Sequence, residues 1–424
     1  MDKPQTLKGF RDFLPKEAKK RQYVINTLKQ VFESFDFEPL ETPALEYEEI
    51  LLGKYGDEGD KLMYRFEDNG GRRVALRYDQ TVPLARVVAQ YQNELPMPFK
   101  RYQIQPVWRA ENTQKGRFRE FLQCDIDIVG SDSSTADTQV ISVAAAGLRT
   151  LGFKNFTVLI NDRDVFQDTS EILRAKFPNI LKKQLNLFFI IAAAVDKIKK
   201  IEKDGVINEL VSKGLSKEEA EFCIDTVTNQ KESNRISEIL QMLNVFNQGL
   251  LEGINFKFSP TLARGLNYYT STIFEIEIDG YTGGSVCGGG RYDKLIGMFA
   301  GRNIPAVGFA YGFDRIMEAI EELKININVP RITDVLVTIF SDELQNKSLE
   351  TASFLRKRNI KTELYLGNKG TSLEKQLKYA DQKGIPYCII IGPDEAKNNT
   401  VTVRNMQTRE QETIPQEKIE DALQ

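Results

Sequence analysis

The spacing of apolar residues predicts a helix near the start of the chain, followed by a largely β region. Val24, Leu28 and Val31 recur at helical spacing, and Pro39 lies just beyond them. Strands are predicted at 62–66, 73–78, 99–109 and 118–129, after a glycine- and acid-rich loop at 55–60. The two long strands flank a short polar stretch, so we expect them to pair within an antiparallel sheet.

Residues 171–247 have a different pattern, rich in Lys and Glu at amphipathic spacing. Ser216 and Glu219 stand in capping-box spacing ahead of an apolar run, so we predict a helical region here. The apolar stretch 185–195 has the length of a buried helix or strand. It is too short to cross a bilayer.

The last part of the chain returns to β signals. A strand is predicted at 273–278, a glycine-rich segment occupies 283–290, and a helix is predicted at 313–323. Beyond Pro330, apolar runs typical of strands alternate with helical patterns. This alternation predicts a small α/β domain at the end of the chain.

Composition restricts the chemistry that the chain can perform. The sequence has 424 residues and no histidine, which excludes histidine bases and Ser-His-Asp triads. A net charge of -3 gives no overall attraction to nucleic acid, so RNA binding needs local patches. Four scattered cysteines and the lack of an apolar N-terminal stretch lead us to expect a cytoplasmic protein without disulfides, zinc fingers or membrane insertion.

The segment 107–121 is the strongest candidate for a phosphate site, since the sequence contains neither a P-loop nor a Rossmann fingerprint. Alternate residues of a strand share a face, so Arg109 and Glu111 project together, as do Arg117 and Phe121. Such a face could hold an anion and a stacked ring. Taken alone, the segment is better interpreted as a solvated charged hairpin than as a binding site.

The same segment resembles motif 2 of the class II aminoacyl-tRNA synthetases, which reads aromatic-Arg-x-Glu, a loop, then Arg-x-x-x-Phe. Both halves are present, as Trp108–Glu111 and Arg117–Phe121. Ala306–Arg315 resembles motif 3 of that class. The helix that ends near Phe35, with Pro43 beyond it, is similar to motif 1, the dimer-interface element.

The class resemblance implies an ATP site. By that resemblance Arg109 binds the α-phosphate, Glu111 the adenine amino group and Phe121 the adenine face. Arg117 binds the outer phosphates and Arg315 the γ-phosphate. Magnesium would arrive with ATP, and the resemblance implies no metal ligand from the protein and no zinc.

Two further segments resemble those of the histidine-specific members of the class, the histidine–tRNA ligases. They are Leu262–Thr270 and Val286–Asp293. By that resemblance Arg264 faces the α-phosphate opposite Arg109. The resemblance also implies a histidine pocket, formed by Asp79, Thr81, Gln123, Asp127, Tyr268 and Tyr269.

Within that pocket, Tyr268 and Asp127 would hydrogen-bond the imidazole, while Asp79 and Gln123 would bind the α-amino and carboxylate groups. Structural roles are the alternative: Tyr268 and Tyr269 could be core aromatics, Asp127 the partner of a structural arginine, and the glycines turn residues. One position departs from the family pattern, because Asn267 stands where an aspartate is usual. An amide keeps the size and loses the charge.

The resemblance also implies a fold and partners. We expect an α+β protein with a class II antiparallel sheet of six or seven strands and flanking helices. The expected domains are a catalytic domain in two parts, 1–170 and 251–329, a helical insertion at 171–250, and an α/β anticodon-binding domain at 330–424. The partners would be L-histidine, ATP, tRNA(His) and a second copy of the chain in a homodimer.

Two other functions remain open from the sequence. The chain could be a catalytically silent relative, such as the regulatory subunit of ATP phosphoribosyltransferase. That reading is disfavoured because Arg109, Arg264 and Arg315 are all present and because such relatives lack the C-terminal domain. It could also be a stress-sensing module that binds uncharged tRNA, but no kinase sequence accompanies it.

Overall fold

The computed structural model describes residues 3–113, 116–249, 251–264 and 268–423. Asn267, the departure from the family pattern, lies outside these residues. By its internal contacts the chain forms two compact units, Met1–Asn328 and Val329–Gln424.

The first unit begins with a helix and then alternates strands with helices. Its elements up to the insertion are α1 (Pro15–Ser34), β1 (Glu38–Pro39), β2 (Leu45–Tyr47), α2 (Glu48–Leu51), α3 (Gly56–Lys61), β3 (Arg65–Glu67), β4 (Arg73–Leu76), α4 (Thr81–Gln90), β5 (Phe99–Trp108), β6 (Glu120–Val129), α5 (Ser134–Thr150) and β7 (Phe156–Asp162). The remaining elements are α6 (Asp164–Lys176), α7 (Leu187–Val195), α8 (Ile198–Ser212), α9 (Lys217–Thr228), α10 (Asn234–Asn247), β8 (Asn255–Phe258), β9 (Thr272–Ile278), β10 (Cys287–Arg291), α11 (Gly297–Ala300), β11 (Ala306–Gly312) and α12 (Phe313–Glu322).

Within the described residues, eight strands of this unit form one mixed sheet in the order β1-β5-β6-β11-β10-β9-β7-β8. Its centre is antiparallel, as predicted, but β1 pairs with β5, and β7 with β8, in parallel. Six strands from β5 to β7 in this order are antiparallel, which agrees with the predicted six or seven, whereas the two parallel edge strands were not predicted. The edge strands are hard to predict because β1 has only two residues and β8 has no buried position.

The central strands carry an apolar face and a polar face. On β6, Cys124 and Ile126 belong to the hydrophobic core that α1 and α5 cover. Gln123, Asp125 and Asp127 alternate with them and project to the opposite face. One face of these strands therefore packs into the hydrophobic core, and the other presents polar side chains that can form a site.

The predicted loop at 55–60 is instead the short helix α3. Tyr55, which precedes it, is buried, and its ring packs on Tyr78 with the ring centroids 4.7 Å apart. The Tyr55 hydroxyl donates to Asp79 at 2.8 Å. These tertiary contacts anchor the segment, whereas its glycines and acids indicated only a loop.

The region predicted to be helical contains α6 to α10. Helices α6 to α9 share a hydrophobic core of their own, whereas α10 packs through Ile236, Ile239 and Leu243 into the main core of the first unit. The predicted capping box is present, since the Ser216 hydroxyl accepts from the Glu219 amide and the Glu219 carboxylate accepts from the Ser216 amide. The apolar stretch 185–195 largely forms α7. Among the described residues, no helix is long and apolar enough to span a membrane.

The second unit is an α/β domain, as the alternating pattern predicts. Its elements are β12 (Val335–Val337), α13 (Gln345–Lys357), β13 (Thr362–Leu364), α14 (Leu373–Lys383), β14 (Tyr387–Ile390), α15 (Pro393–Asn398), β15 (Thr400–Asn405), β16 (Gln411–Pro415) and α16 (Ile419–Ala422). The sheet order is β13-β12-β14-β15-β16, parallel for the first three strands and antiparallel for the last two.

Glycines of β10 allow the sheet to pack closely on its core side. At Gly289, a Cβ atom would lie 2.3 Å from the Gly308 carbonyl oxygen and 2.8 Å from the Phe274 ring. The rings of Phe274 and Phe309, from the two flanking strands, fill the space above Gly289. The alternative that these glycines are turn residues is wrong, since 287–291 form a buried strand.

We predict that Gly289→Ala destabilises the first unit by about 1–3 kcal/mol, the usual cost of overpacking. The backbone contact with Gly308 cannot be relieved by a side-chain rotation. Thermal unfolding followed by circular dichroism measures the effect.

The matched control is Gly249→Ala, because Gly249 has open space around the Cβ position. Its unfolding temperature should stay close to that of the unchanged protein. Equal unfolding temperatures for both variants would contradict the packing argument.

Candidate active site

A cleft of about 770 Å³ opens on the polar face of the large sheet. All twelve of the site residues expected from the sequence line it: Asp79, Thr81, Arg109, Glu111, Arg117, Phe121, Gln123, Asp127, Arg264, Tyr268, Tyr269 and Arg315. They come from separate parts of the chain. The fold therefore brings together residues that the sequence could only group by motif.

Arg109 is held at the mouth of the β5–β6 hairpin. Its Nε donates to the Tyr78 carbonyl oxygen at 3.1 Å. Its guanidinium carbon lies 4.4 Å from the centroid of the Tyr78 ring and 5.1 Å from that of Phe121. The contacts with two rings fix the plane of the guanidinium and leave part of its donor edge for a ligand.

Arg264 lies across β10, where the strand has no side chain to obstruct it. A Cβ atom at Gly288 would sit 1.6 Å from the Arg264 Nη1 atom. That nitrogen donates to Glu275 on β9 at 2.8 Å, and the Arg264 Nε is buried without a hydrogen-bond partner among the described residues. Arg264 is thus a cation held by one carboxylate, with donors still available in the cleft.

Three charged residues continue the cleft beyond Arg109. Glu111 and the half-exposed Arg117 face each other across the hairpin at 3.5 Å. Arg315, in the first turn of α12, donates to the Ser285 carbonyl oxygen at 2.7 Å. This end of the cleft therefore combines two arginines with one carboxylate in partly solvated positions, which suits a polyanion.

The other end of the cleft is rich in buried acceptors. Asp79 precedes α4, and its Oδ1 accepts from Tyr55, from the Thr81 amide and from the Val82 amide. Its Oδ2 has no partner among the described residues. Burial raises the pKa of Asp79, and the hydrogen bonds from Val82 and Tyr55 oppose the rise. A cationic ligand at Oδ2 would also favour the ionised form.

Asp127 has both a structural partner and a place in the cleft. It forms an ion pair with the fully buried Arg101 at 2.6 Å and accepts from the Tyr292 hydroxyl. Burial raises the pKa of Asp127, and the charge of Arg101 opposes the rise. The alternative of an arginine partner is therefore correct for this residue, while its position in the cleft leaves a ligand contact open.

Gly308 on β11 provides the room for Asp127. A Cβ atom at this position would lie 1.9 Å from the Asp127 Oδ1 atom. Gly308 and Asp127 are directly paired across β11 and β6. The carboxylate consequently folds back over the neighbouring strand instead of standing above its own.

A cluster of tyrosines closes this end. The ring centroids of Tyr268 and Tyr269 are 4.9 Å apart, and those of Tyr268 and Tyr292 are 5.9 Å apart. Burial raises the pKa of each of these three hydroxyls, so each keeps its proton and can donate to a ligand. Aromatic walls with hydroxyl donors and nearby carboxylates suit a small planar ring that carries N–H groups and nitrogen acceptors.

Arg77 and Gln80, in the segment 76–83 that also contains Asp79 and Thr81, have structural roles. Arg77 is buried away from the cleft and donates to the Thr42 and Pro106 carbonyl oxygens. Gln80 donates to the Gln105 carbonyl oxygen at 2.7 Å. Of this segment, Tyr78, Asp79 and Thr81 line the cleft.

Several residues that hold the site were missed by the sequence reasoning. They are Tyr55, Arg101, Glu275, Tyr292 and Asp314. Tyr292 lies inside the Val286–Asp293 segment, which the sequence already singled out. Arg101 stands opposite Asp127 in the two strands predicted to pair. Both residues could therefore have been proposed from the sequence. Glu275 and Tyr55 gave no comparable signal, because neither residue lies in a segment that resembles the motifs of the family.

Two family models match the chain. One described as histidyl-tRNA synthetase matches residues 9–316, and one described as anticodon binding domain matches residues 334–424.

Relatives of similar length resemble the chain from end to end. A histidine–tRNA ligase of Flavobacterium johnsoniae is 35% identical over an alignment of 482 positions, which covers 99% of each chain. One of Rhodopirellula baltica is 38% identical over 436 residues, covering 98% of this chain and 96% of the relative. Among solved structures, the histidyl-tRNA synthetase of a Nostoc species matches with a TM-score of 0.80 and 29% identity, covering 99% of this chain and 98% of that one.

Proposed function

The chain belongs to the histidyl-tRNA synthetase family, whose members charge tRNA(His) with histidine through an adenylate, and from this premise we propose how its residues perform the two steps. The observation that carries the proposal is the division of one cleft into a cationic end and an acceptor-rich end. ATP fits the first and histidine the second.

At the cationic end, Arg109 and Arg264 bind the α-phosphate from two sides. Arg117 and Arg315 bind the outer phosphates, while Phe121 stacks on adenine and Glu111 accepts from the adenine amino group. A guanidinium stays charged and donates paired hydrogen bonds, which matches phosphate geometry. Magnesium enters with ATP as part of the substrate and neutralises the outer phosphates, and we propose no zinc.

In the first step, an oxygen of the histidine carboxylate attacks the α-phosphorus in line. The bond to the bridging oxygen breaks, and pyrophosphate leaves. No general base is needed because the carboxylate is already ionised. Arg109 and Arg264 stabilise the charge that grows on the α-phosphoryl oxygens.

At the acceptor-rich end, the unpartnered Oδ2 of Asp79 accepts from the α-ammonium of histidine, with Thr81 and Gln123 beside it. Asp127 and Tyr268 bind the two imidazole nitrogens, and Tyr269 completes the wall. These contacts select the imidazole because an analogue without it would leave buried polar groups unpaired.

In the second step, the terminal ribose hydroxyl of tRNA attacks the carbonyl carbon of the adenylate, and AMP leaves. The chain has no histidine to accept the hydroxyl proton. We propose that a phosphate oxygen of the adenylate accepts it. The Val329–Gln424 unit would bind the anticodon.

The alternative of a silent regulatory relative fits less well. Arg109, Arg264 and Arg315 all line the cleft that a silent relative would not need. The anticodon-binding model matches 334–424, the part that such a regulatory subunit is expected to lack.

We also propose a homodimer that forms through the three-stranded sheet β2-β4-β3. Tyr47, Val74 and Phe66 stand in one row across these strands. Tyr47 on β2 is 53% exposed and Phe66 on β3 is 44% exposed, while Val74 between them on β4 is buried, so two large exposed side chains flank a small apolar patch. A second copy of the chain would cover this row.

A cytoplasmic location fits the same function. The four cysteines, Cys124, Cys223, Cys287 and Cys388, are all buried and unpaired. Free thiols are typical of a reducing compartment, and the proposed location is also that of the ribosome.

The first prediction for this function concerns the α-phosphate. Arg264→Ala should lower the rate of adenylate formation at least ~100-fold while histidine affinity stays nearly unchanged, because the lost contact acts mainly on the transition state. Gly288→Ala should lower it too, since its Cβ would displace the guanidinium. Histidine-dependent ATP–pyrophosphate exchange measures the rate.

Arg302→Ala is the matched control, because Arg302 is exposed and does not line the cleft. It should exchange normally. Normal exchange by Arg264→Ala would rule out the role assigned to that residue.

The second prediction concerns the imidazole. Asp127→Asn and Tyr268→Phe should each raise the KM for histidine roughly tenfold, the effect of losing a hydrogen bond to a buried polar ligand, and change the KM for ATP much less. Tyr379→Phe, in the second unit, serves as the control. A rise in the KM for ATP alone would mean that the pocket is misassigned.

The third prediction concerns assembly. Tyr47→Asp should place a charge in the proposed interface and yield single chains of 48.3 kDa in light scattering after size exclusion. Val245→Asp, at a 71% exposed position in the insertion, should leave the mass of the assembly unchanged. A dimer that survives Tyr47→Asp would exclude this face as the interface.

A further inference from the structure

Asp125 is a buried acid of β6 to which the proposed function assigns no role. It stands between Gln123 and Asp127 on the same face of the strand, but it does not line the cleft and is only 2% exposed. Its neighbours on the flanking strands are Gln103 and Ala310. Burying a carboxylate at this place is costly, so its contacts call for an explanation.

The contact that Asp125 makes is with Gln123. The Gln123 Nε2 atom donates to the Asp125 Oδ2 atom at 3.0 Å. The Gln123 Oε1 atom is buried and has no partner among the described residues, and the same is true of the Asp125 Oδ1 atom. Gln123 thus directs its donors to Asp125 and keeps an unused acceptor.

An ionised carboxylate can only accept, so Asp125 in that form permits one orientation of the Gln123 amide. Burial raises the pKa of Asp125 well above its usual range; the charge of Arg101 on β5 opposes the rise, and those of Asp127 and Asp79 add to it. A ligand cation bound beside these three acids favours the ionised form.

We propose that Asp125 is a positioning residue, which orients the Gln123 amide so that its carbonyl oxygen accepts a hydrogen bond from the α-ammonium of histidine. The inference rests on the histidine site of the proposed function. An ammonium has three donors, and Asp79 Oδ2 and Gln123 Oε1 are two buried acceptors without a donor in this part of the cleft, among the described residues. The ammonium of histidine would supply the hydrogen-bond donors that these two oxygens lack.

The orientation has a consequence for specificity. With the amide reversed, its NH2 group would face the ammonium, and donor would meet donor. Asp125 therefore adds selectivity for amino acids over deaminated imidazole compounds without touching the ligand itself.

Asp125→Asn tests the inference. The substituted amide can donate to Gln123, which allows the Gln123 amide to turn its own NH2 group toward the ligand. The KM for histidine in ATP–pyrophosphate exchange should rise roughly tenfold or more, as for a lost hydrogen bond to a charged group, and the KM for ATP should stay the same. The substitution removes a buried charge at constant shape, so the variant should fold.

Two inhibitors separate orientation from general damage. Histidinol keeps the ammonium and should lose affinity as histidine does. Imidazolepropionate lacks the ammonium and should inhibit the variant and the unchanged protein equally. Equal weakening of both inhibitors would overturn the inference, because it would indicate a distorted pocket.

A swap provides the rescue. In the double variant Gln123→Glu, Asp125→Asn, the amide donates to the glutamate, whose second oxygen again offers an acceptor to the ammonium. Histidine and histidinol should regain most of their affinity. A swap no better than Asp125→Asn alone would contradict the proposed orientation.

Gln123→Met distinguishes this inference from the proposed function. If Gln123→Met weakens histidine binding and Asp125→Asn does not, Gln123 binds the ligand but Asp125 does not orient it. The inference about Asp125 is then wrong, while the proposed histidine site stands. If neither variant changes the KM for histidine, the assignment of Gln123 to the histidine site fails as well.

Discussion

The cleft depends on one constraint: two positions on neighbouring strands, Gly288 and Gly308, must carry no side chain. Gly288 on β10 lets the Arg264 guanidinium lie flat on the sheet, and Gly308 on β11 lets the Asp127 carboxylate fold over it. Any Cβ at either position would occupy the place of a charged group. The same strands pack so tightly on their core side that Gly289 has no room either. Because Gly288 and Gly308 have no side chains, the charged groups of Arg264 and Asp127 can lie against the sheet in the cleft.

Charges in such a position must be compensated, because removing them from water costs several kcal/mol each. Two ion pairs offset part of this cost, one between Asp127 and Arg101 and one between Arg264 and Glu275. The compensation is incomplete: Asp79 retains a free oxygen and Arg264 a free donor among the described residues. These remaining groups are the ones to which we assign substrate contacts. An ammonium bound to Asp79 and a phosphate bound to Arg264 would each supply the partner that the protein does not provide.

Much of this site could be predicted from the sequence, since Arg109, Phe121 and Arg315 lie in motifs whose residues are near each other along the chain. The hydrophobic pattern along the chain also predicted the helical region and the α/β character of the last unit. The supporting contacts could not be predicted in the same way. Glu275 meets Arg264 only because β9 and β10 pair in one register. The short helix α3 was missed because tertiary contacts of Tyr55, and not its own composition, hold that segment in place.

The most direct measurement of the central claim is a crystal structure with a non-hydrolysable sulfamoyl analogue of histidyl-adenylate. We expect the sulfamoyl group between the guanidinium groups of Arg109 and Arg264, with the imidazole against Asp127 and Tyr268. The α-ammonium should lie on Asp79. An analogue bound in the reverse direction, or one that leaves Arg264 paired with Glu275 and in contact with no ligand atom, would contradict the division of the cleft into a phosphate end and a histidine end.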